Sequence, residues 1–499
     1  MRFIEQWVGH ETKLILLGLV ILDLFSFGAH LFGLTTYLFS AICAFVGYIS
    51  LKKQDWLFPL ALAEIISTSN GHSADIFISG VPIGPRIVIF AALVIVMAHR
   101  AIKKKTPLNH TTPMIILSAW VIFSAIRGIV EGYPLKDVYL DANGYFAVLY
   151  VAAGYISQKT SKNAHLIFEA VGAAIAWLVA KSLLLLFVFG HISPKILHFI
   201  NIWVRDTRFG ELTYQTGNLY RIFLQSQWFV VPAILLTVSY IWHTKGAKKE
   251  NALWLFLVAL IATILISMSR TFWLALIVAG LILASLYLEK IASVLKSVPI
   301  LLFATIGSLA VLLNILAVPI YMNGSPNGLA ELFSKRASEI SDAALDSRRQ
   351  LLPELNDAIM ERPLSGYGLG KRLSYVTKDP RYIQMHETDL VTTYAFEWGW
   401  HDIWVKFGLF GVGLFIYFLF YLSILLFINS KTDPSRRWLW RGLLASVIAL
   451  TVSHIFSPYL NHPIGWGTIA FIVAILPPII AEVKHKEEAT RGIVVQAAI

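Results

Sequence analysis

One cysteine stands in 499 residues, and only 14% of the chain is charged. Cys43 lies inside an apolar run, which excludes a disulfide framework and a cysteine metal site. With 57% hydrophobic residues and a mean hydropathy of +0.67, a water-soluble chain of this length has no way to hide its apolar surface. Internal repeats and low-complexity tracts are missing as well. The first apolar run has no small-residue cleavage site after it, so it reads as a retained helix. Negative charge is scarce, and the net charge is +11. In a soluble protein that excess would point to nucleic acid. Here the cations sit in short loops between apolar runs, where they orient a membrane protein, and nucleic acid is not an expected partner.

What is present is a series of about fourteen apolar runs of membrane-spanning length, from 13–29 to 465–482. They include 222–242, 251–269, 272–288, 404–428 and 438–457. The fold class read from this is all-α, a polytopic transmembrane bundle of about 12–14 spans with one large, partly helical loop. Cation clusters fall in alternate loops: Lys52-Lys53, Lys103-Lys104-Lys105, Lys159 with Lys162, Lys245 with Lys248-Lys249, Lys290, Arg436-Arg437, and Lys484 with Lys486. Positive-inside logic puts these and both termini in the cytoplasm, and the large loop in the periplasm or outside the cell. Four units follow. Residues 1–212 form an N-terminal bundle, 213–320 carry arginine-bearing turns, 321–403 form the loop, and 404–499 hold the last helices and a cytoplasmic tail.

The outward face carries arginines that orientation does not explain. Arg205, Arg208 and Arg221 fall in one outer segment, with Arg221 read at the mouth of the 222–242 span. Arg270 falls in Ser267-Met268-Ser269-Arg270, too short for anything but a tight turn. A guanidinium at that depth needs an anion, and its fork matches phosphate oxygens. One reading is a site for a lipid-linked phosphate or diphosphate; the other is a snorkelling or salt-bridged arginine.

His401 stands where the loop turns into a helix, and an imidazole there suits a general base for a sugar hydroxyl. Glu397, one turn earlier, and Asp402 are candidates to orient its ring. An interfacial histidine in a belt with Trp398 and Trp400 is the plainer reading.

Other polar residues carry weaker signals. Apolar residues at Phe333, Ala337, Ile340, Ala344, Leu351, Leu355 and Ile359 predict a loop helix interrupted near Pro353. Arg348 and Arg349 on that helix either reach the same anion or face water. Gly366, Gly368 and Gly370 read as a plain turn rather than a phosphate cradle. Gly408, Gly411 and Gly413 suggest close helix packing. His386-Glu387-Thr388-Asp389 lacks the paired histidines of a metal site. Asp23, Glu64 and Lys181 lie within spans, as functional charges or as ion pairs between helices.

The loop sequence is similar to that of the O-antigen ligase and O-antigen polymerase superfamily. The matching residues are Ser347-Arg348, Asn356-Asp357-Ala358-Ile359, Arg362-Pro363-Leu364-Ser365-Gly366-Tyr367-Gly368-Leu369-Gly370, His401-Asp402-Ile403-Trp404 and Gly408-Leu409-Phe410-Gly411. Upstream, Arg221 and Ser269-Arg270 resemble the family's arginines, and the likeness covers about 215–425. Asp402 stands where the family often has asparagine. The resemblance implies transfer of a glycan from undecaprenyl diphosphate to a glycan or lipid acceptor, with no metal ion or other cofactor, at the outer face of the cytoplasmic membrane.

Together these give an expected inverting glycosyltransferase. Arg221, Arg270 and His401 are its catalytic residues. Arg348, Arg349, Arg205, Arg208, Glu397 and Trp400 are its substrate-binding residues. The rival is a transporter or flippase of an anionic lipid-linked or small solute, suggested by the span number and by Asp23, Glu64 and Lys181.

Overall fold

The computed structural model describes residues 8–78, 81–103, 112–160, 165–216, 218–244, 251–317 and 343–476. The chain begins with α1 (His10–Phe32), α2 (Thr35–Lys52) and α3 (Leu57–Thr68), then the hairpin β1 (Ile76–Ile78) and β2 (Val81–Ile83). Next come α4 (Pro85–Lys103), α5 (Thr112–Val130), α6 (Leu135–Tyr145), α7 (Leu149–Thr160), α8 (His165–His191) and α9 (Pro194–Asp206). A second hairpin, β3 (Gly210–Thr216) and β4 (Leu219–Leu224), precedes α10 (Val230–His243), α11 (Asn251–Ser267), α12 (Arg270–Leu286) and α13 (Ile291–Ala317). The loop contributes α14 (Ala343–Glu361), β5 (Leu373–Val376), α15 (Pro380–His386) and β6 (Leu390–Thr393). The chain closes with α16 (Gly399–Thr432), α17 (Arg437–Phe456) and α18 (Pro463–Ile475).

This is an all-α multi-pass membrane bundle, its three sheets being isolated antiparallel hairpins. Among the described residues eight helices are long and apolar enough to cross a membrane, and α11, α12 and α18 are shorter apolar helices. A helix occurs at each expected span, but α3, for example, has 12 residues and reaches only about 18 Å. It is buried along nearly its whole length, so its apolar run is explained by protein packing as well as by lipid.

The alternation of the loops is visible in their contacts. At one end Arg441 and Arg437 share Glu289, and Lys290 donates to the His243 carbonyl. At the other end Asn70 meets His462 and the Arg208 carbonyl, and Asn218 meets the Leu316 carbonyl.

Two expected boundaries move. Residues 219–224 are strand, not the start of a span. Leu219, Ile222 and Leu224 are buried while Tyr220, Arg221 and Phe223 are half-buried, and β4 pairs with β3 instead. The helix at 404–428 starts earlier, at Gly399, and runs to Thr432. The loop helix α14 continues through Pro353 because Leu351, Leu355, Ala358 and Ile359 bury one face in a small loop core with Tyr367, Phe396 and Val405. Phe333, Ala337 and Ile340 lie outside the described residues.

The helix α16 is broken at Gly408, whose φ of 68° and ψ of −176° are not helical. A break leaves carbonyls and N–H groups without their partners one turn away. The glycine turn of the loop supplies them. Tyr367 N–H donates to Val405 O at 2.8 Å, and Gly368 N–H to Lys406 O at 2.9 Å. On the other side Leu409 N–H donates to Pro363 O at 2.8 Å, and the Trp120 indole N–H of α5 donates to Phe407 O at 3.2 Å. Leu369 N–H reaches Ser124 O of α5, and Gly370 N–H reaches Asp141 of α6. The turn amides are therefore spent on protein partners, and no cradle for phosphate is left. Gly408 serves this break rather than close helix packing, Gly411 sits against Trp120, and Gly413 faces open space.

A Cβ on Gly408 would lie 2.1 Å from Leu364 O, at a φ that side chains rarely adopt. Gly408→Ala is expected to cost at least about 1–3 kcal/mol and lower the apparent melting temperature of the purified protein. Gly413→Ala, with nothing within 4 Å, should be neutral or stabilise by up to about 1 kcal/mol. Equal melting temperatures for the two variants would contradict the stitched break.

Candidate active site

Arg221 is carried by β4, opposite Thr213 of β3. Its Nε donates to the Ser267 carbonyl at 2.9 Å, and its guanidinium lies 4.7 Å from the Phe223 ring centre and 3.4 Å from Glu211. Ser267 opens the turn to α12. Met268 there has a φ of 47°, Ser269 is the N-cap, and Arg270 is the first helical residue. The two arginines expected to act together are thus joined through one tight turn, Arg221 bonding a carbonyl three residues before Arg270.

An apolar cavity of about 960 Å³ lies between α10, α11, α12 and α13. On α12 its lining starts at Trp273, one turn along from Arg270, and continues through Leu276 and Gly280.

The α17–α18 connection reaches this turn through aromatic contacts. Phe272 faces Phe223, and Tyr459, in the connection between α17 and α18, packs on Phe272 and on Trp228. Arg348 forms an ion pair with Glu397, and its carbonyl accepts from the Trp398 indole at 2.8 Å. Trp398 caps α16, and His401 stands in the first turn of that helix, half-buried, with its ring edge-on to Trp398 at 6.1 Å. Contacts thus link Arg221 to the turn that carries Arg270, and Arg348 to Glu397 and, through Trp398, to His401.

Several expected roles are not met. Glu397 is engaged by Arg348 and Asp402 points elsewhere, so neither orients His401, which makes no side-chain hydrogen bond among the described residues. Arg349 is exposed beside Asp346 at 3.8 Å, and Arg205 is exposed beside Asp206 at 3.0 Å; each is paired with that local carboxylate. Arg208 stands at a separate polar cavity with Tyr394 and His462. The Trp400 ring packs on His454 at 5.0 Å, and Tyr367 is buried in the loop core beneath Arg362 and Lys371. The membrane charges are paired: Lys181 with Asp23 at 3.0 Å, and Glu64 with Arg86 at 2.9 Å. His386 packs on Tyr382.

Residues outside the expected set hold the His401 helix in place. Lys406, fully buried, bonds Asp402 at 2.5 Å and Asp141 of α6 at 2.6 Å. Asp402 also accepts from Tyr145 at 2.5 Å and from Asn461 at 2.9 Å. The sequence signal was an i,i+4 aspartate–lysine pair inside an apolar run, beside an aspartate in another. Above this cluster Arg362 bonds Glu131 at 2.6 Å and holds that carboxyl below its ordinary range, and Arg372 bonds Asp137. Among the described residues no three His, Cys, Asp or Glu side chains are grouped to hold a metal.

Residues 255–416 match the family model described as O-antigen ligase. Over these residues, about a third of the chain, the protein is similar to the O-antigen ligase family. The match takes in Arg270, Arg348, the glycine turn, His401 and the Gly408 break; Arg221 and Tyr459 lie outside it. Comparison with curated proteins gave no match. The apolar helices and this match indicate a multi-pass membrane protein with an O-antigen ligase-like region.

Lys406→Met would leave Asp141 and Asp402 buried without their counter-charge. The expected loss is about 3–5 kcal/mol, read as a lowered melting temperature. Adding Asp141→Asn should recover part of it. A single variant as stable as the native protein would show that the cluster is not what fixes the helix.

Proposed function

We propose that this protein is a metal-independent, inverting glycosyltransferase that moves or polymerises a glycan carried on a polyprenyl diphosphate. The observation that carries this reading is the joining of Arg221 and Arg270 at one turn, at the end of the apolar cavity between α10 and α13. A diphosphate on a long hydrocarbon chain has the same division, an anionic head and an apolar tail. In this reading the donor is an undecaprenyl diphosphate and the membrane the bacterial inner membrane, which the family likeness supports. The 321–403 loop would face the outside, covering acceptor and glycan, with 213–320 as the arginine-bearing unit.

In this mechanism the two guanidinium groups bind the diphosphate and stabilise the negative charge that grows on it as the anomeric C–O bond breaks. His401 accepts the proton of the acceptor hydroxyl as its oxygen attacks the anomeric carbon from the opposite side. One displacement inverts the configuration. Arg348, paired with Glu397, is a third candidate anion contact from the loop. A lipid acceptor makes the enzyme a ligase, and the end of a lipid-linked chain makes it a polymerase.

The test is transfer by purified protein in nanodiscs, with lipid-diphosphate-linked glycan, chelator, and either lipid or glycan acceptor, followed by mass spectrometry. His401→Ala should slow turnover by about 10²–10⁴-fold. Arg221→Ala and Arg270→Ala should each lower it by about 10²–10³-fold. His401→Ala turning over like wild type would remove the base from the mechanism. Full activity in both arginine variants would remove the diphosphate site.

A further inference from the structure

We propose that the polar cavity at Tyr150 is a subsite for an uncharged saccharide unit of the glycan, next to the reacting unit. The proposal rests on the glycosyl-transfer reading and adds where a further sugar is held. The cavity measures about 320 Å³, at the small end of ligand sites, and lies where the segment after α3 meets α4, α6 and the α17–α18 connection.

Three features define its occupant. The first is an orphan donor. Tyr150 is 1% exposed and lines the cavity, and its buried hydroxyl has no hydrogen-bond partner among the described residues. Such a group in a folded protein calls for an occupant that hydrogen-bonds, because leaving it unpaired is costly.

The second is closed charge. Arg86 is tied to Glu64 at 2.9 Å and to the Ser69 carbonyl at 2.8 Å, and His72 lies 2.6 Å from Asp75. Burial pushes His462 down to about 3, and the neutral ring is held between Asn70 and Ile464 N–H. Arg208, the cation without an ion pair, is exposed at the rim. An ionised ligand inside would meet no free counter-charge, whereas hydroxyls meet amides and phenols: Asn143, Asn461, Tyr394 and Tyr150.

The third is the wall. Phe90 and Tyr150 are packed at 4.9 Å and give an aromatic surface for the C–H face of a pyranose ring. The cavity is also coupled to the active site. Asn461 lines it and donates to Asp402, the residue after His401.

The experiment uses full-length protein in nanodiscs and the oligosaccharide repeat released from the lipid-linked donor by mild acid. Saturation-transfer NMR titration gives its Kd for wild type, His401→Ala, Tyr150→Phe, Tyr394→Ala and Arg208→Gln. Tyr150→Phe removes only an unpartnered hydroxyl, so its melting temperature should not fall, yet its Kd should rise about tenfold. Tyr394→Ala should weaken binding similarly, while His401→Ala and Arg208→Gln should bind as wild type. Unchanged Kd in both tyrosine variants would overturn the subsite and leave only water against Tyr150. Absent binding to wild type that still transfers glycan would also overturn it. Binding that needs Arg208 and a uronic acid in the repeat would overturn the uncharged assignment. Should Tyr150→Phe lose the sugar while His401→Ala transfers as wild type, the subsite stands and the catalytic role of His401 falls.

Discussion

The break in α16 at Gly408 is the constraint on which the site depends. A membrane helix normally satisfies its own backbone, because lipid supplies no hydrogen-bond partners. Here the helix gives up that self-sufficiency for one turn, and the loop's glycine turn completes it from outside. The exchange fixes both parties. The loop cannot lift from the bundle without exposing Val405 and Lys406 carbonyls, and the first helical turns cannot rotate without losing the loop. Closeness of approach is what demands glycine: a Cβ at Gly366 would fall 2.6 Å from Gly408 N.

Rigidity at the break passes to the chemistry through the charges beside it. Lys406 lies two residues before Gly408, and its ammonium is shared by carboxylates from α6 and from its own helix. Asp402, one residue after His401, is bound to Tyr145 of α6 and to Asn461. His401 therefore inherits its position from α6 and from the α17–α18 connection, not from a hydrogen bond of its own. The arginine turn arrives from different elements, a hairpin and the α11–α12 corner, and Phe272 of α12 packs on Tyr459 of the same connection that carries Asn461. Residues separated by nearly two hundred positions thus share one end of the bundle.

Much of this was legible in the sequence, for identifiable reasons. Apolar runs located every major helix because hydrocarbon length is a strict filter. The tight turn before Arg270 followed from the shortness of the gap, and the loop helix from its 3.6-residue spacing. The rest was hidden where long-range partners decide. β4 reads as helix until β3 is known to lie beside it. The Gly408 break reads as a packing glycine until the glycine turn is known to dock on it. Asp402 reads as an orienter of His401 because the two are adjacent, but adjacent helical residues point about 100° apart. Tyr459 had no chemical signature at all, since a tyrosine in a short connection is ordinary until Phe272 and Trp228 are known to pack on it.

The charges within the membrane bear on the rival reading. A carrier must change the partners of its buried charges as it alternates access. In this protein Lys181 is bound to Asp23 and to the Ser67 carbonyl, and Arg86 to Glu64, Thr68 and the Ser69 carbonyl. Each cation is satisfied by both a carboxylate and backbone or hydroxyl oxygens, which makes separation expensive in low dielectric. These pairs join α1 to α8 and α3 to α4. They hold the N-terminal helices as a fixed wall behind the polar cavity, as a transferase scaffold requires and a carrier would have to undo. Arg221 and Arg270 are joined instead at one tight turn at the end of the bundle, the place proposed for a lipid-borne diphosphate.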